Sequence, residues 1–209
     1  LLYEISGEQK RTVVQVEDLP PYVVQAVIAL EDRTFYEHSG FNFQRLAKAV
    51  LYRLVGKSGP GASTLTSQLV KNAILSPEKT LTRKLREWIL VFQIERKFSK
   101  EEILQLYLNE IPYGSTAYGV EAASNFYFGK SAKDISLAEA ALLAAIIQRP
   151  SYFSPYGTHV DELLIRKDVT LRLMQEQGFI TEEQKTEAQA QELAFRERRE
   201  NITAPHFVF

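Results

Sequence analysis

Pro20-Pro21-Tyr22-Val23-Val24-Gln25-Ala26-Val27-Ile28-Ala29-Leu30-Glu31-Asp32-Arg33 is the stretch that decides how this chain folds. A proline at the first helical position is pre-set in φ, and its missing N–H is one the helix leaves unpaired anyway. Val23, Val24, Ala26, Val27, Ile28 and Leu30 then leave almost no polar face, so the helix is expected to be buried. A helix apolar nearly all round needs neighbours on every side. This one also delivers Glu31-Asp32-Arg33 at its C-terminal end. The expectation is a mainly α-helical domain with little strand.

Working outward, Leu1 to Val16 alternates weakly around Ser6-Gly7 and reads as a hairpin or linker strand. A helix is expected over about Phe43 to Val55, with Leu46, Val50, Leu51 and Leu54 at helical spacing and Arg45, Lys48 and Arg53 between them. Lys57 to Gly61 has the composition of a mobile loop. Ser63 or Thr64 then caps a helix through Asn72 and Ala73. Ser76-Pro77 restarts the chain ahead of a long helix from about Leu81 to Lys97, whose run Trp88 to Ile94 is expected to enter the core. Ser99 with Glu102, Ser136 with Glu139, and Thr181 with Gln184 carry the capping-box spacing. Pro150 to Gly157 reads as a loop and Glu162 to Gln177 as an amphipathic helix.

Composition removes several classes of function. With 45% hydrophobic and 24% charged residues in a 209-residue chain, this is a folded domain. The absence of cysteine rules out a disulfide scaffold, a thiolate zinc site and a cysteine nucleophile. The longest clean apolar run, Ala140 to Ile147, falls short of the roughly 20 residues that cross a bilayer. The chain begins at Leu1 without a methionine, so it is expected to be an excised fragment whose anchor lies elsewhere. A net charge of −1 argues against nucleic acid, and no nucleic-acid module is present. That balance hides an asymmetry: residues 41–100 hold twelve Lys or Arg against three Glu, a net +9, leaving −10 elsewhere. Concentrated positive charge suits an anionic ligand, an anionic membrane surface, or simply a solvated basic face balanced by an acidic one.

Three groups of residues could do chemistry. Glu31 ends a buried helix, where the helix dipole and burial both disfavour its ionised form and suit it to general acid or base work. Gly61 to Asn72 is a small-residue loop running into a helix N-terminus, with Thr64, Gln68 and Lys71 on one polar stripe; the spacing is not that of a Walker A loop. Arg83-Lys84 precede Glu87 by one turn, giving a carboxylate braced by two cations. A transferase acting on a sugar pyrophosphate needs such a set: a base for the acceptor hydroxyl and positive charge for the departing pyrophosphate. Read alone, Glu31 suits a solvated helix-end acid, Gly61 to Asn72 a capped surface helix, and Arg83-Lys84 with Glu87 a structural ion pair.

Together these blocks resemble the family 51 peptidoglycan glycosyltransferases, the glycan-polymerising domain of class A penicillin-binding proteins. Glu31-Asp32-Arg33-Thr34-Phe35-Tyr36-Glu37-His38-Ser39-Gly40 is similar to that family's first motif, Gly61 to Asn72 to its second, and Arg83-Lys84 with Glu87 to its third. Lys100 to Asn109 resembles the fourth and Ala140 to Pro150 the fifth. One departure is visible: Ser67 stands where the second motif usually has the first of two adjacent glutamines.

The resemblance implies a lysozyme-like fold with a larger helical lobe and a smaller membrane-facing lobe. It implies an N-terminal linker over 1–16, a glycosyltransferase domain over 17–195, and over 196–209 the start of a linker toward a transpeptidase domain. The implied substrate is lipid II, polymerised into glycan with inversion and release of polyprenyl pyrophosphate on the outer face of the cytoplasmic membrane. By that carry-over Glu31 and Glu87 are catalytic, and Lys71 and Arg83 hold the pyrophosphate. Ser63, Thr64, Gln68, Asn72, Asp32, His38 and Lys84 are further substrate contacts. A divalent ion, magnesium or manganese, is expected near Glu87, and no organic cofactor is implied. Phe41, Phe43, Leu46, Val50 and Leu54 are expected at the lipid boundary, with Arg45, Lys48 and Arg53 at the headgroups. The alternatives are a lysozyme-like enzyme that cleaves glycan and a silent scaffold that binds lipid II.

Overall fold

The computed structural model describes residues 13–57, 61, 63–75, 80–114 and 116–197, apart from the side chains of Val50 and Leu81. Among these residues the chain forms α1 (Pro21–Glu31), α2 (Phe43–Leu54), α3 (Leu65–Ala73), α4 (Leu81–Lys97), α5 (Lys100–Glu110), α6 (Val120–Phe128), α7 (Leu137–Ile147), α8 (Val160–Glu176) and α9 (Glu182–Ala190). Two short 3-10 turns, Val16–Asp18 and Ala132–Asp134, complete the helical elements. The described residues contain no strand, only an isolated antiparallel bridge between Pro112 and Tyr118. The mainly α expectation holds.

The core is built around α7. Its ten residues from Ala138 to Ile147 are all buried, because α1 and α8 pack against it and α9 closes another side. Val23, Ala26, Val27, Ile28 and Ala29 of α1 enter the same cluster, as the opening stretch of sequence requires. All three predicted capping boxes form, and Thr64 with Ser67 adds a fourth, so Thr64 rather than Ser63 caps α3. Thr80 caps α4; Ser76-Pro77 lies outside the described residues. Helix α6 was not marked by sequence periodicity, although Gly119 and Gly129 bound it and Gly129 takes the left-handed conformation common at helix ends.

The hairpin or linker strand expected over Leu1 to Val16 falls mostly on Leu1 to Thr12, which lie outside the described residues. Val13 to Gln15 runs extended along α5, whose Gln105 and Asn109 amides substitute for a strand partner. The Val14 N–H donates to Asn109 Oδ1 at 2.9 Å and the Val16 N–H to Gln105 Oε1 at 2.7 Å.

The run Trp88 to Ile94 does not enter the core as a whole. Among the described side chains of α4 only Glu87 and Val91 are buried, one turn apart on the face that meets α3, while Trp88, Ile89 and Phe92 are 44%, 58% and 55% exposed. Helix α2 buries none of its described side chains, and Phe43, Leu51, Tyr52 and Leu54 stand in solvent. The molecule thus divides into a packed cluster, to which α1, α3 and α5 to α9 contribute, and a flank of α2 and α4 that adds no fully buried residue to it.

Candidate active site

Glu31 sits at the last position of α1, with its side chain 10% exposed. Its Oε2 accepts a hydrogen bond from Gln68 Nε2 at 2.7 Å, and Arg166 Nη2 of α8 stands 3.8 Å from Oε1. Burial raises its pKa above the ordinary carboxylate value, assisted by the neighbouring Asp32; Gln68, Arg166 and Arg45 pull the other way. A buried carboxylate of raised pKa, held by one amide and facing a cleft, is what a general base working near neutral pH requires.

Behind Glu31 the chain turns through a braced loop. Asp32 is fully buried; its Oδ2 accepts the backbone N–H of Leu65 at 3.1 Å, so it caps the start of α3. His38 Nε2 lies 3.0 and 3.1 Å from the two Asp32 oxygens, while His38 Nδ1 accepts the Gly40 N–H at 3.2 Å. Accepting at Nδ1 leaves the proton on Nε2, where it is directed at Asp32. Arg45 Nη1 reaches the Glu31 carbonyl at 3.2 Å and Asp32 Oδ1 at 3.4 Å.

The loop ends at Gly40 with a φ of +86°, where a Cβ would lie 2.6 Å from Val91 Cγ1 and 2.9 Å from Glu95 Cγ. Only glycine fits that approach. Thr64 Oγ1 donates to the Gly40 carbonyl at 2.7 Å. Lys100 Nζ, bonded to the His38 carbonyl at 2.6 Å and to Glu95 Oε2 at 2.7 Å, lies over the Phe35 ring.

Beside Glu31 opens a cleft of about 590 Å³. Its walls carry five cations, Arg45, Lys71, Arg83, Lys84 and Arg166, against two carboxylates, Glu31 and Glu87. Glu87 is 3% exposed and lies between Lys84 Nζ, on Oε1, and Arg83 Nη1, 3.4 Å from Oε2. The Arg83 Nε is buried with no hydrogen-bond partner among the described residues, an orphan donor at the cleft wall. Such a cationic surface with unspent donors is suited to an anionic group with several oxygens.

A metal centre fits these residues poorly. Among the described residues no three His, Cys, Asp or Glu side chains converge, and Glu87 already has a cation on each oxygen. A divalent ion placed there would meet Lys84 and Arg83.

The sequence profile described as Transglycosylase matches residues 1–175. The chain belongs to the transglycosylase family. Penicillin-binding protein 1A of Aquifex aeolicus is 45% identical over 189 residues, covering 90% of this chain and 26% of the relative. Penicillin-binding protein 1A of Escherichia coli is 43% identical over 179 residues, 85% of this chain and 21% of that one. The chain therefore spans about a quarter of the length of these relatives. The crystal structure of penicillin-binding protein 1A from Haemophilus influenzae superposes with a TM-score of 0.54 at 22% identity, covering 92% of this chain and 19% of that one. That likeness supports the helical fold.

In this transglycosylase the residues expected from sequence divide into two groups. Glu31, Ser63, Gln68, Lys71, Asn72, Arg83, Lys84 and Glu87 all line the cleft. Asp32, His38 and Thr64 do not; their polar atoms are engaged by Leu65, Gly40 and one another, which braces the loop behind Glu31. Ser67 also has a structural job: its hydroxyl donates to the Thr64 carbonyl and accepts the Thr64 N–H, both at 2.9 Å.

Arg45, expected at lipid headgroups, turns inward to the Glu31 carbonyl and Asp32. Phe41 and Leu46 are half-buried, Phe41 with its ring edge-on to Trp88 at 6.0 Å, whereas Phe43 and Leu54 are 72% and 77% exposed. The Val50 side chain lies outside the described residues. Arg166 was missed, because nothing local in α8 distinguishes it from its neighbours Arg172 and Lys167. The Arg166 guanidinium lies over the Phe153 ring, 5.5 Å from its centroid, and its Nε bonds the Ala145 carbonyl at 3.1 Å, which holds the group beside Glu31.

Proposed function

We propose that this transglycosylase domain polymerises lipid II into β-1,4 glycan with inversion at the anomeric carbon. The observation that carries the reading is the buried Glu31, its pKa raised by burial, at the edge of a cleft whose other walls are cationic. Glu31 takes the proton from the 4-hydroxyl of the acceptor sugar. The freed oxygen forms a bond to the anomeric carbon of the donor as that carbon's bond to the pyrophosphate oxygen breaks. Lys71, Arg83 and Lys84 receive the charge that builds on the leaving pyrophosphate, and Glu87 holds Arg83 and Lys84 in place. No step requires a protein-bound metal.

The longer relatives support a piece of a larger enzyme, in which a transpeptidase domain follows this one. The outer face of the cytoplasmic membrane is the proposed location, with the apolar side chains of α2 and α4 at the lipid surface. A glycan-cleaving enzyme is disfavoured, because cleavage releases no pyrophosphate and so has no need of the five cations along the cleft walls. Incubation with labelled lipid II in detergent tests the proposal. The native chain should produce a ladder of lysozyme-sensitive glycan, and soluble fragments from purified sacculi would support the cleaving reading instead.

A further inference from the structure

Tyr107 of α5 is fully buried, and its hydroxyl stands 2.9 Å from Gln68 Oε1. Burial holds its phenol far above the ordinary value, with Glu31, Tyr113 and Asp32 adding to the effect, so the group stays a proton donor at any working pH. A donated proton fixes which end of the Gln68 amide is which. The two ends have nearly the same shape, so packing alone does not choose between them. With Oε1 accepting from Tyr107, Nε2 must face Glu31, where it donates to Oε2 at 2.7 Å. Turned over, the amide would place its oxygen against the carboxylate. That arrangement repels an ionised Glu31 and suits a protonated one.

We propose that Tyr107 is a positioning residue: its hydroxyl locks the Gln68 amide with its N–H toward Glu31, and so keeps the buried base ionised and aimed into the cleft. The proposal rests on Glu31 being the general base. It gives the Tyr107 of the Lys100–Asn109 segment a chemical part that its burial in the core conceals. The other groups facing Glu31 are Asp32 at the end of α1, Arg45 from α2 and Arg166 from α8. Arg45 and Arg166 favour the ionised form and Asp32 opposes it. The described hydrogen bonds of the Gln68 side chain go only to Glu31 and Tyr107, so removing the phenol oxygen leaves those three charges in place.

The test uses the chain labelled with carboxyl-13C glutamate, with the Glu31 signal assigned by its loss in Glu31→Gln. The signal is titrated in the native chain, in Tyr107→Phe, in Gln68→Met and in the double variant. A hydrogen bond to a charged group is worth enough to move a midpoint by about one pH unit. Gln68→Met should raise the Glu31 midpoint by about that much, Tyr107→Phe should raise it by part of that, and the double variant should match Gln68→Met alone. The acid limb of kcat on lipid II should move the same way, with activity largely recovered at alkaline pH. An unchanged Glu31 midpoint in either single variant overturns the proposal, as does a double variant whose shift is the sum of the two. A kcat lowered equally at every pH also overturns it, since that is the mark of packing alone. Were Glu31→Gln to polymerise lipid II, the base assignment would fall, while the titration would still report on the Tyr107–Gln68–Glu31 chain.

Discussion

Replacing Asp32 by alanine should unsettle the loop that braces the cleft from behind Glu31. The carboxylate is fully buried and holds three partners at once: the Leu65 N–H at 3.1 Å, His38 Nε2 at 3.0 Å and Arg45 Nη1 at 3.4 Å. Breaking a buried charged pair by removing one partner costs about 3–5 kcal/mol. Arg45 is 29% exposed and can turn to water, which places the loss near the lower end, about 3 kcal/mol. For a chain of this size that lowers the melting temperature by roughly 6–12 °C. Asp32→Asn should recover part of it, because the amide oxygen still accepts from Leu65. The assay is thermal melting by circular dichroism beside lipid II affinity in detergent. A melting temperature within about 3 °C of the native chain, with lipid II binding abolished, would refute the bracing role and restore Asp32 as a substrate contact.

Other outcomes follow from the same geometry. Burial raises the Glu31 pKa in the fold, so the stability tied to its proton is complete below the unfolded carboxylate's pKa and is lost as pH rises through the folded one. Glu31→Gln should therefore melt above the native chain at neutral pH and level with it in acid; a lower melting temperature at neutral pH contradicts the burial argument. Glu87→Ala should cost on the order of 10²-fold in kcat/KM on lipid II by releasing Arg83 and Lys84, and unchanged kinetics would show that those cations need no brace. Trp88→Asp with Phe92→Asp, and separately Phe43→Asp with Leu54→Asp, should abolish flotation with anionic vesicles at unaltered melting temperature, because these side chains are already exposed. Flotation equal to that of the native chain in both would remove α2 and α4 from the membrane reading.

What could be read in the sequence was what local chemistry enforces. A helix apolar all round, as over Pro21–Glu31 and Leu137–Ile147, has one place to go, and capping boxes declare themselves by spacing. The Arg83, Lys84 and Glu87 cluster was legible because one helical turn sets its geometry. Trp88 to Ile94 misled for a complementary reason: an apolar helix face looks the same whether a neighbouring helix or a lipid surface is to cover it. Arg166 and the inward turn of Arg45 were invisible because tertiary packing, not spacing, brings both to Glu31. Asp32, His38 and Thr64 sit in the right motifs, yet adjacency in sequence cannot tell a group that touches substrate from one that holds the loop.

The most direct measurement incubates the chain with labelled lipid II in detergent and resolves the products on a gel, with Glu31→Gln run alongside. A lysozyme-sensitive ladder from the native chain, and none from Glu31→Gln at undiminished lipid II binding, is the predicted result. A ladder from Glu31→Gln as strong as the native one would contradict the assignment of Glu31 as the base that drives polymerisation.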